Sequence, residues 1–287
     1  MEIKKLTFRG GNLPEALQKI ASPPKQLFCR GASLEELLKR PRVAIVGSRG
    51  PTAYGKQVTA QLARELAEQG IVIISGLALG IDAVAHQATL EIGGLAIAVL
   101  PGQVDKIYPR TNRRLGEEIL AKGGALVSEY AEGEISFKQN FIARNRLVAG
   151  LAQAILIPEA AEKSGSLHTA RFAVEQGKDV LVVPGNINSK LSVGTNNLLK
   201  SGATPTTNYQ DVLHALGLTG HKTPAREVRG RNTHEQTVLD LMLTGVIDGD
   251  ELLRKSQLST SEFNQVLTML EISGKVRPLG ANQWSLR

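Results

Sequence analysis

The chain has 287 residues, of which 42% are hydrophobic, and it carries a formal net charge of +7. This length and apolar content suit one medium domain with a packed core and a smaller second one. The sequence lacks an apolar run near the roughly 20 residues that span a bilayer and lacks a secretory signal, so we expect a cytoplasmic protein without membrane contact. One cysteine, Cys29, and five scattered histidines predict neither a disulfide nor a metal site.

Most of the surplus positive charge lies in the first three quarters of the chain. Of the 34 basic and 27 acidic residues, nine and eight respectively lie from His221 onward. A positive net charge of this size favours binding to a polyanion. If that polyanion is nucleic acid, we expect the part before His221 to make most of the contacts.

The first predicted segments are a lead-in and a main domain. Residues 1–40 are too few for a core of their own, and we expect them to pack beside the first main strand. Within residues 41–218, apolar runs recur about every 25 to 30 residues, the length of a strand–helix repeat. This spacing predicts an α/β fold with a doubly wound, mostly parallel sheet, whose strands start near Val43, Ile71, Leu95, Ala125, Ala154 and Val180.

The remainder of the chain predicts a linker and a small second domain. Residues 219–232 are polar and contain Gly and Pro without periodicity, which is typical of a linker. Residues 233–287 predict three helices and a hairpin, the pattern of a winged helix, with capping boxes at Thr233 with Gln236 and at Ser259 with Glu262. No Lys or Arg occurs in residues 259–273. We therefore expect a protein-contact or regulatory module and not a sequence-specific duplex reader.

Clusters of Gly, Ser and Pro follow nearly every predicted strand, where ligands of open α/β sheets bind. The first cluster, Gly47–Gly50, places Arg49 near a helix N-terminus, which suits a phosphate. Gly50, Gly55 and Lys56 have the spacing of a P-loop, but Gln57 stands where a P-loop has the hydroxyl that binds magnesium, and the glycines do not have the spacing of the dinucleotide fingerprint. We expect no such cofactor, and the alternative is a tight turn with a solvated arginine.

A second candidate anion site follows the fifth predicted strand. Hydroxyl groups and backbone N–H groups gather there at the start of a helix, where the helix dipole favours negative charge. The alternative is an ordinary helix cap. The residues concerned are Ser164, Gly165, Ser166 and Thr169.

Residues 137–146 combine aromatic and basic side chains, and no acidic residue occurs between Glu134 and Glu159. The arginines can bind phosphates of a nucleic acid, while stacking of a base on Phe141 would contribute about 1–3 kcal/mol. The alternative is a buried phenylalanine with solvated arginines. A second basic group is interpreted by itself as a solvated face: Lys106, Arg110, Arg113 and Arg114.

Several segments together resemble the DprA/Smf family, DNA-processing protein A. They are GSR after the first strand, SGLALGID, VLPGQVDKIYP, ARNRLVAGL, EAAEKSGSLHTA and VPGN, and the tail is similar to the winged helix of many members. The resemblance implies a Rossmann-like, non-enzymatic protein that binds single-stranded DNA. It also implies help in loading RecA recombinase, including onto DNA covered by single-strand binding protein, in natural transformation, and a homodimer.

The resemblance assigns a DNA pocket without a cofactor. In it, arginines hold phosphates, Phe141 stacks on a base, and the turn at Ser164–Thr169 supplies donors. Leu79 stands where the family often has a basic residue, and with about 40 residues before the sheet we expect no counterpart of the helical N-terminal domain of many members. The implied pocket residues are Gly47, Ser48, Arg49, Phe141, Arg144, Asn145, Arg146, Ser164, Gly165, Ser166 and Thr169.

Two other functions remain open. A phosphoribohydrolase-like enzyme of a related fold would use Glu129 or Glu159 as acid or base, but its PGGxGT-type loop corresponds here to PEAAEKSGS. Asp82 and His86, one helical turn apart, are interpreted as a capped first turn and not as a catalytic pair. A nucleotide-binding sensor whose winged helix signals to a partner is the third possibility.

Overall fold

The structure of the chain is a computed structural model, and it describes residues 2–7, 12–134, 137–218, 230–280 and 282–286. The chain divides into two compact units, Met1–Thr219 and Gly220–Arg287. Most of the predicted linker, residues 219–229, lies outside the described residues. Across the described ranges, every helix is too short or too polar to cross a bilayer.

The first unit is built on one sheet, which has nine strands within the described residues. The spatial order is β1-β2-β6-β5-β4-β3-β7-β8-β9, with β3 to β9 parallel and β1 and β2 antiparallel. The six predicted strands are β3 to β8, so the predicted α/β fold with a mostly parallel sheet is confirmed. In chain order the strands are Ile3–Thr7, Gln26–Gly31, Arg42–Ile45, Val72–Ser75, Ala96–Val99, Ala125–Ser128, Ala154–Ile157, Asp179–Val182 and Thr204–Pro205.

Helices connect the strands and cover both faces of the sheet. Helix α3 shows why they form where they do: Thr52 caps it by accepting from the Gly55 N–H at 3.0 Å, and Leu62 and Leu66 lie on its buried stripe. A 3₁₀ turn, Arg110–Asn112, precedes α5. Helices α1 to α9 are Glu15–Gln18, Leu34–Leu38, Ala53–Glu68, Ile81–Glu91, Arg113–Ala121, Lys138–Leu151, Ser166–Glu175, Val193–Lys200 and Tyr209–Ala215.

The core lies on both faces of the sheet. Successive strand residues such as Ile73 and Ile74 belong to two different apolar clusters, because strand side chains alternate between faces. Both residues are fully buried. Burial on both faces explains why the parallel strands appear in the sequence as continuous apolar runs.

The strand order reverses beside β3, and this reversal positions the candidate site. From β3 the chain proceeds through β4, β5 and β6 on one side, and then returns to place β7 and β8 on the other. The loops that leave β3 and β7 therefore lie next to each other at the carboxyl ends of the strands. Open α/β sheets bind ligands in the crevice at such a point.

The strands of the lead-in do not lie where the lead-in was predicted. Strand β2 pairs antiparallel with β6, with Phe28 opposite Ser128 and Gly31 opposite Ala125, so that β6, β5 and β4 separate it from β3. The prediction of a segment beside the first main strand is therefore wrong for these strands, whereas the helix Leu34–Leu38 ends close to β3, since Arg42 donates to the Leu38 carbonyl oxygen at 2.8 Å. The reason is that β6 has an unpaired edge. Strand β2 pairs with this edge, and β1 pairs with β2. Leu27 and Cys29 of β2 also pack into the apolar cluster on one face of the sheet.

The second unit has the predicted winged-helix elements. The capping box of Ser259 with Glu262 is confirmed, whereas the one at Thr233 is wrong, because the helix already begins there and Asn232 caps it by accepting from the Glu235 N–H at 2.8 Å. Buried Leu239, Leu252 and Phe263 hold the helices together. The elements are α10 Thr233–Leu243, α11 Gly249–Ser256, α12 Thr260–Ile272 and the hairpin of β10 Val276–Gly280 with β11 Gln283–Leu286.

Candidate nucleic-acid interface

A cavity of about 570 Å³, named here the main cavity, lies at the carboxyl ends of the strands beside the reversal of strand order. The loops after β3, β4 and β7 and one side of α6 surround it. Ten of the eleven predicted site residues line it, and Arg146 does not. The ten are Gly47, Ser48, Arg49, Phe141, Arg144, Asn145, Ser164, Gly165, Ser166 and Thr169.

The loops after β3 and β4 approach each other through their backbones. The Ile81 N–H donates to the Ser48 carbonyl oxygen at 3.0 Å. Gly80 has a φ of 80°, and a Cβ there would lie 2.3 Å from that same oxygen. A side chain at this position would therefore separate the two loops, and Gly80 keeps Ser48 and Arg49 at the cavity.

Arg144 forms the bottom of the main cavity and is only 5% exposed. Its guanidinium donates to the Gly76 carbonyl oxygen at 2.6 Å and to that of Val99, which joins the ends of β4 and β5. Burial lowers the pKa of Arg144 to about 10, so the group stays charged at neutral pH. Arg144 thus supplies fixed positive charge from below and does not extend into solvent.

Buried Asp82 partly balances that charge. Its carboxylate accepts from the Gly76 N–H at 3.0 Å and from the Ala78 N–H at 3.4 Å. Burial raises the pKa of Asp82, while Arg144 opposes this rise. Because its carboxylate accepts hydrogen bonds from these two N–H groups, Asp82 stabilises the conformation of the loop after β4.

Arg49 and Phe141 stand at the mouth of the main cavity. The exposed Arg49 guanidinium lies 5.7 Å from the centre of the Phe141 ring, within cation–π range. Tyr108 contacts the same ring edge to face at 5.6 Å. These side chains also line a second cavity of about 430 Å³, which adds Leu79 and Lys138. The two cavities share Arg49, Phe141, Ile142 and Arg144.

The turn before α7 forms the opposite wall. The hydroxyl oxygens of Ser164 and Ser166 are 2.8 Å apart, and no side chain caps the helix. Asn145 crosses from α6 and donates to the Gly165 carbonyl oxygen at 3.2 Å. This arrangement turns the positive end of the α7 dipole and two hydroxyl groups toward the cavity, which suits an anion.

Arg146 is placed away from both cavities. Its guanidinium binds the Glu129 carboxylate at 2.7 Å, and its side chain is 12% exposed. On a helix, residues two positions apart point in different directions, so Arg144 and Arg146 cannot enter the same cavity. The structure therefore does not bring Arg146 to the other ten predicted residues.

The structure adds residues that the sequence reasoning did not include in the site. Exposed Lys163 lines the main cavity, and exposed Lys138 and Tyr108 line the second one. The signals for both lysines were present, since Lys163 adjoins the Ser164–Thr169 turn and Lys138 begins the helix that carries Phe141. Tyr108 had no such signal, because its contact with Phe141 joins segments far apart in sequence.

The two carboxylates considered for catalysis make other contacts. Glu159 is 2% exposed and accepts from the Thr52 N–H at 3.0 Å and from the Thr52 hydroxyl. A Cβ on Gly55 would lie 2.8 Å from the same carboxylate. Glu129 binds Arg146. Both acids therefore hold protein groups together, and neither lines the main cavity.

The described part of the chain contains no group of three or more His, Cys, Asp or Glu side chains placed to hold a metal ion. The ionisable groups of the main cavity are instead mostly cationic: Arg49, Arg144 and Lys163 against Asp82. This donor set suits phosphate oxygens.

Comparison with known proteins identifies the family. The family model described as DNA recombination-mediator protein A matches residues 4–217, and the DprA winged helix domain matches residues 222–282. The chain is 42% identical to DNA processing protein DprA of Streptococcus pneumoniae over 200 residues, which is 70% of each protein. It is 40% identical to protein Smf of Escherichia coli over 211 residues, covering 74% of this chain and 56% of that protein.

A solved structure shows the same fold. It concerns the single-stranded DNA binding mode of DNA processing protein A from Helicobacter pylori, and it is 41% identical with a TM-score of 0.67. The match covers 75% of this chain and 95% of that one. From the matched domains, the identities and this common fold, the chain belongs to the DNA recombination-mediator protein A family.

Proposed function

We propose that this chain binds single-stranded DNA at the main cavity and acts as a recombination mediator without a catalytic step. It then assists the loading of RecA recombinase, including onto DNA covered by single-strand binding protein, during natural transformation. The family membership and the Helicobacter pylori relative, whose structure concerns single-stranded DNA binding, support this assignment. The protein acts as a cytoplasmic homodimer.

One observation carries the proposal: Arg49 and Phe141 are adjacent at the mouth of a cationic cavity, with a guanidinium–ring distance of 5.7 Å. A single strand presents phosphates on one side and unpaired bases on the other. Cations that bind phosphates beside an aromatic ring that stacks on bases match both parts. A paired duplex hides the faces of its bases, so the ring has no equivalent partner there.

The cavity residues take distinct roles. Arg49 and Lys163 are exposed and bind phosphates directly, while buried Arg144 attracts the backbone from below. The Ser164 and Ser166 hydroxyl groups and the start of α7 supply further donors. Phe141 stacks on a base. Arg146 contributes by holding Glu129 and not by touching DNA.

Fluorescence anisotropy with single- and double-stranded oligonucleotides tests the binding step. We expect preference for the single strand and a marked loss of affinity in Arg49→Ala. Arg171→Ala is the matched control, because Arg171 is exposed on α7 and outside the main cavity. With about three phosphate contacts, log K should fall with log salt at a slope near −2. A flat salt response, or equal loss in both variants, would refute this site.

Assembly of RecA on DNA precoated with single-strand binding protein tests the mediator step. Wild-type protein should shorten the lag of RecA-dependent ATP hydrolysis, and Arg49→Ala should not. An unchanged lag with wild-type protein that binds DNA would reject mediation while leaving the DNA site intact. Sedimentation equilibrium of the free protein tests the dimer separately.

Release of free base from nucleoside monophosphates would favour the alternative function, a phosphoribohydrolase-like enzyme. The bonds of Glu159 to Thr52 and of Glu129 to Arg146 count against it, because an acid or base must reach its substrate. A nucleotide that copurifies with the chain would favour the nucleotide sensor.

A further inference from the structure

The carboxyl end of α6 binds two cationic side chains that have no role in the site described above. We infer that Lys178 and Arg42 are positioning residues: by holding this end of α6, they keep Phe141 and Arg144 of the same helix in place at the main cavity. This inference rests on the proposed function and identifies what fixes the helix that contacts DNA. Neither Lys178 nor Arg42 lines the main cavity or the second one.

Lys178 binds three carbonyl oxygens at the end of α6. Its ammonium group donates to those of Ala149 at 2.6 Å, Gly150 at 2.7 Å and Ala152 at 2.6 Å. The last four carbonyl groups of an α-helix lack partners within the helix, and a lysine side chain can supply them. Burial lowers the pKa of Lys178 to about 8, with a smaller contribution from Arg42, so the ammonium group is mostly charged at neutral pH.

A tight turn at the end of α7 places Lys178. Gly177 has a φ of 66°, which glycine adopts readily, and its N–H donates to the Val174 carbonyl oxygen at 3.0 Å. The Lys178 N–H donates to the Ala173 carbonyl oxygen at 2.9 Å. These two hydrogen bonds form a Schellman motif. The motif ends α7 at a point where the next side chain, that of Lys178, reaches the end of the neighbouring helix α6.

Arg42, the first residue of β3, binds the remaining carbonyl group at this end. Its Nε donates to the Leu151 carbonyl oxygen at 2.6 Å, and its Nη1 donates to that of Leu38 in α2 at 2.8 Å. Its backbone is bound to the residue that follows α6 and its cap: the Arg42 N–H donates to the Gln153 side-chain oxygen at 2.9 Å, and the Gln153 N–H donates to the Arg42 carbonyl oxygen at 3.1 Å. The two cations together therefore bind the carbonyl oxygens of residues 149–152.

The negative end of the α6 dipole is the counter-charge of both cations. Within the described ranges, neither Lys178 nor Arg42 forms an ion pair with a carboxylate. A helix carries partial negative charge on its last carbonyl groups, where cations are favoured. Without the Lys178 ammonium group, three of these carbonyl groups would lose a partner, and the end of α6 would shift or unwind to reach water.

The opposite end of α6 has no comparable anchor in the described part of the chain. No side chain caps the helix at Phe137, and its first turn contains no acidic residue. Phe141 lies about 14 Å from Gly150 along the helix axis, at a rise of about 1.5 Å per residue. Because a helix is a rigid element that can carry coupling over such a distance, a shift of its carboxyl end displaces Phe141 and Arg144.

Lys178→Met tests the inference, because it keeps an apolar stem and removes the ammonium group. The matched control is Lys122→Met. The Lys122 ammonium group donates to the Leu90 carbonyl oxygen at 2.6 Å, at the end of α4, which carries no residue assigned to DNA contact. Single-strand affinity is measured by anisotropy below the Tm of every variant, as determined by calorimetry. Phe141→Ala is measured in the wild type and in both variants.

We expect Lys178→Met to weaken single-strand binding about tenfold and Lys122→Met to change it less than about twofold. Phe141→Ala should cost at least about fivefold in the wild type and less than about twofold in Lys178→Met, where the ring is already displaced. Unchanged affinity of Lys178→Met would overturn the inference, and so would an equal loss in the control. Additive losses in the combined variant would also overturn it, because distant residues add unless the helix couples them.

A milder change covers the case in which Lys178→Met does not fold. Lys178→Gln retains an amide that donates to the carbonyl oxygens, and we expect a smaller loss of affinity in the same direction. Binding equal to that of the wild type would again overturn the inference. Failure of the wild-type protein to bind single strands would instead reject the proposed function, and the inference with it.

Discussion

Gly76→Ala should destabilise the first unit by displacing a guanidinium. A Cβ on Gly76 would lie 2.4 Å from Nη2, 2.5 Å from Cζ and 2.6 Å from Nη1 of Arg144, too close for any side chain. The backbone of Gly76 itself does not require glycine, because its φ is not positive. The substitution therefore acts through Arg144 alone.

The cost follows from the contacts that Arg144 would lose. Its guanidinium binds the carbonyl oxygens of Gly76 and Val99, and hydrogen bonds to charged groups contribute about 1.5–3 kcal/mol each. Allowing for partial relaxation, we expect a loss of about 3 kcal/mol in the free energy of unfolding. In a unit of this size that corresponds to a fall of about 6–12 °C in Tm. Gly50→Ala is the control, because no atom lies within 4 Å of its added Cβ.

Calorimetry of the full chain and a double-mutant cycle provide the assay. Arg144→Met removes the crowded guanidinium atoms, so Gly76→Ala should cost less than about 1 kcal/mol in that background. An equal cost in both backgrounds would place the strain in the backbone and refute the reasoning. A negligible cost in the wild-type background would show that Arg144 moves freely, contrary to its buried position.

Three other changes test separate parts of the structure. Phe141→Ala should weaken single-strand binding, measured by anisotropy, by about 1–3 kcal/mol. Phe137→Ala should not, because the Phe137 ring is exposed and lies outside both cavities, and equal effects of the two changes would contradict stacking on Phe141. Burial lowers the pKa of His86 to about 3 from 6.5, so its stabilising effect is complete above pH 6.5 and is lost as pH falls toward 3. Between pH 6.5 and 5, urea unfolding of the wild type should therefore lose about 2 kcal/mol more than that of His86→Gln, and parallel losses would argue against a buried neutral imidazole. Deletion of residues 219–287 should keep most single-strand affinity, and a decrease of more than about tenfold would place DNA contacts in the winged helix.

The main sheet could be predicted because its central strands are buried on both faces. Continuous apolar runs such as Val72–Ser75 leave a clear local signal. Strands β1 and β2 leave no such signal, since Lys4 and Lys5 interrupt the first, and Gln26 and Arg30 limit the apolar run of the second to three residues. Their position depends on the free edge of β6, which is a long-range property of the folded sheet.

The cavity residues of the loops were predictable from their place after strands, and those of α6 from its mixture of aromatic and basic side chains, but the burial of Arg144 was not. Helix α6 has only weak amphipathicity, so nothing local shows that Arg144 faces the sheet. The Arg144 guanidinium fits there because Gly76, 68 residues earlier in the chain, has no side chain. Arg146 could have been excluded from the sequence, because a side chain two positions from Arg144 on a helix points elsewhere. The sequence motif alone does not show which of these two arginines faces the cavity.

The antiparallel pair at one side of the sheet limits how far this chain can be shortened. Without β2, the backbone groups of β6 that now face Phe28 to Gly31 would be unpaired along an edge strand. Such a strand pairs readily with another chain and promotes aggregation. A protein cut back to residue 41 would keep every cavity residue, yet it would tend to associate through β6, and soluble material for binding measurements requires the first forty residues.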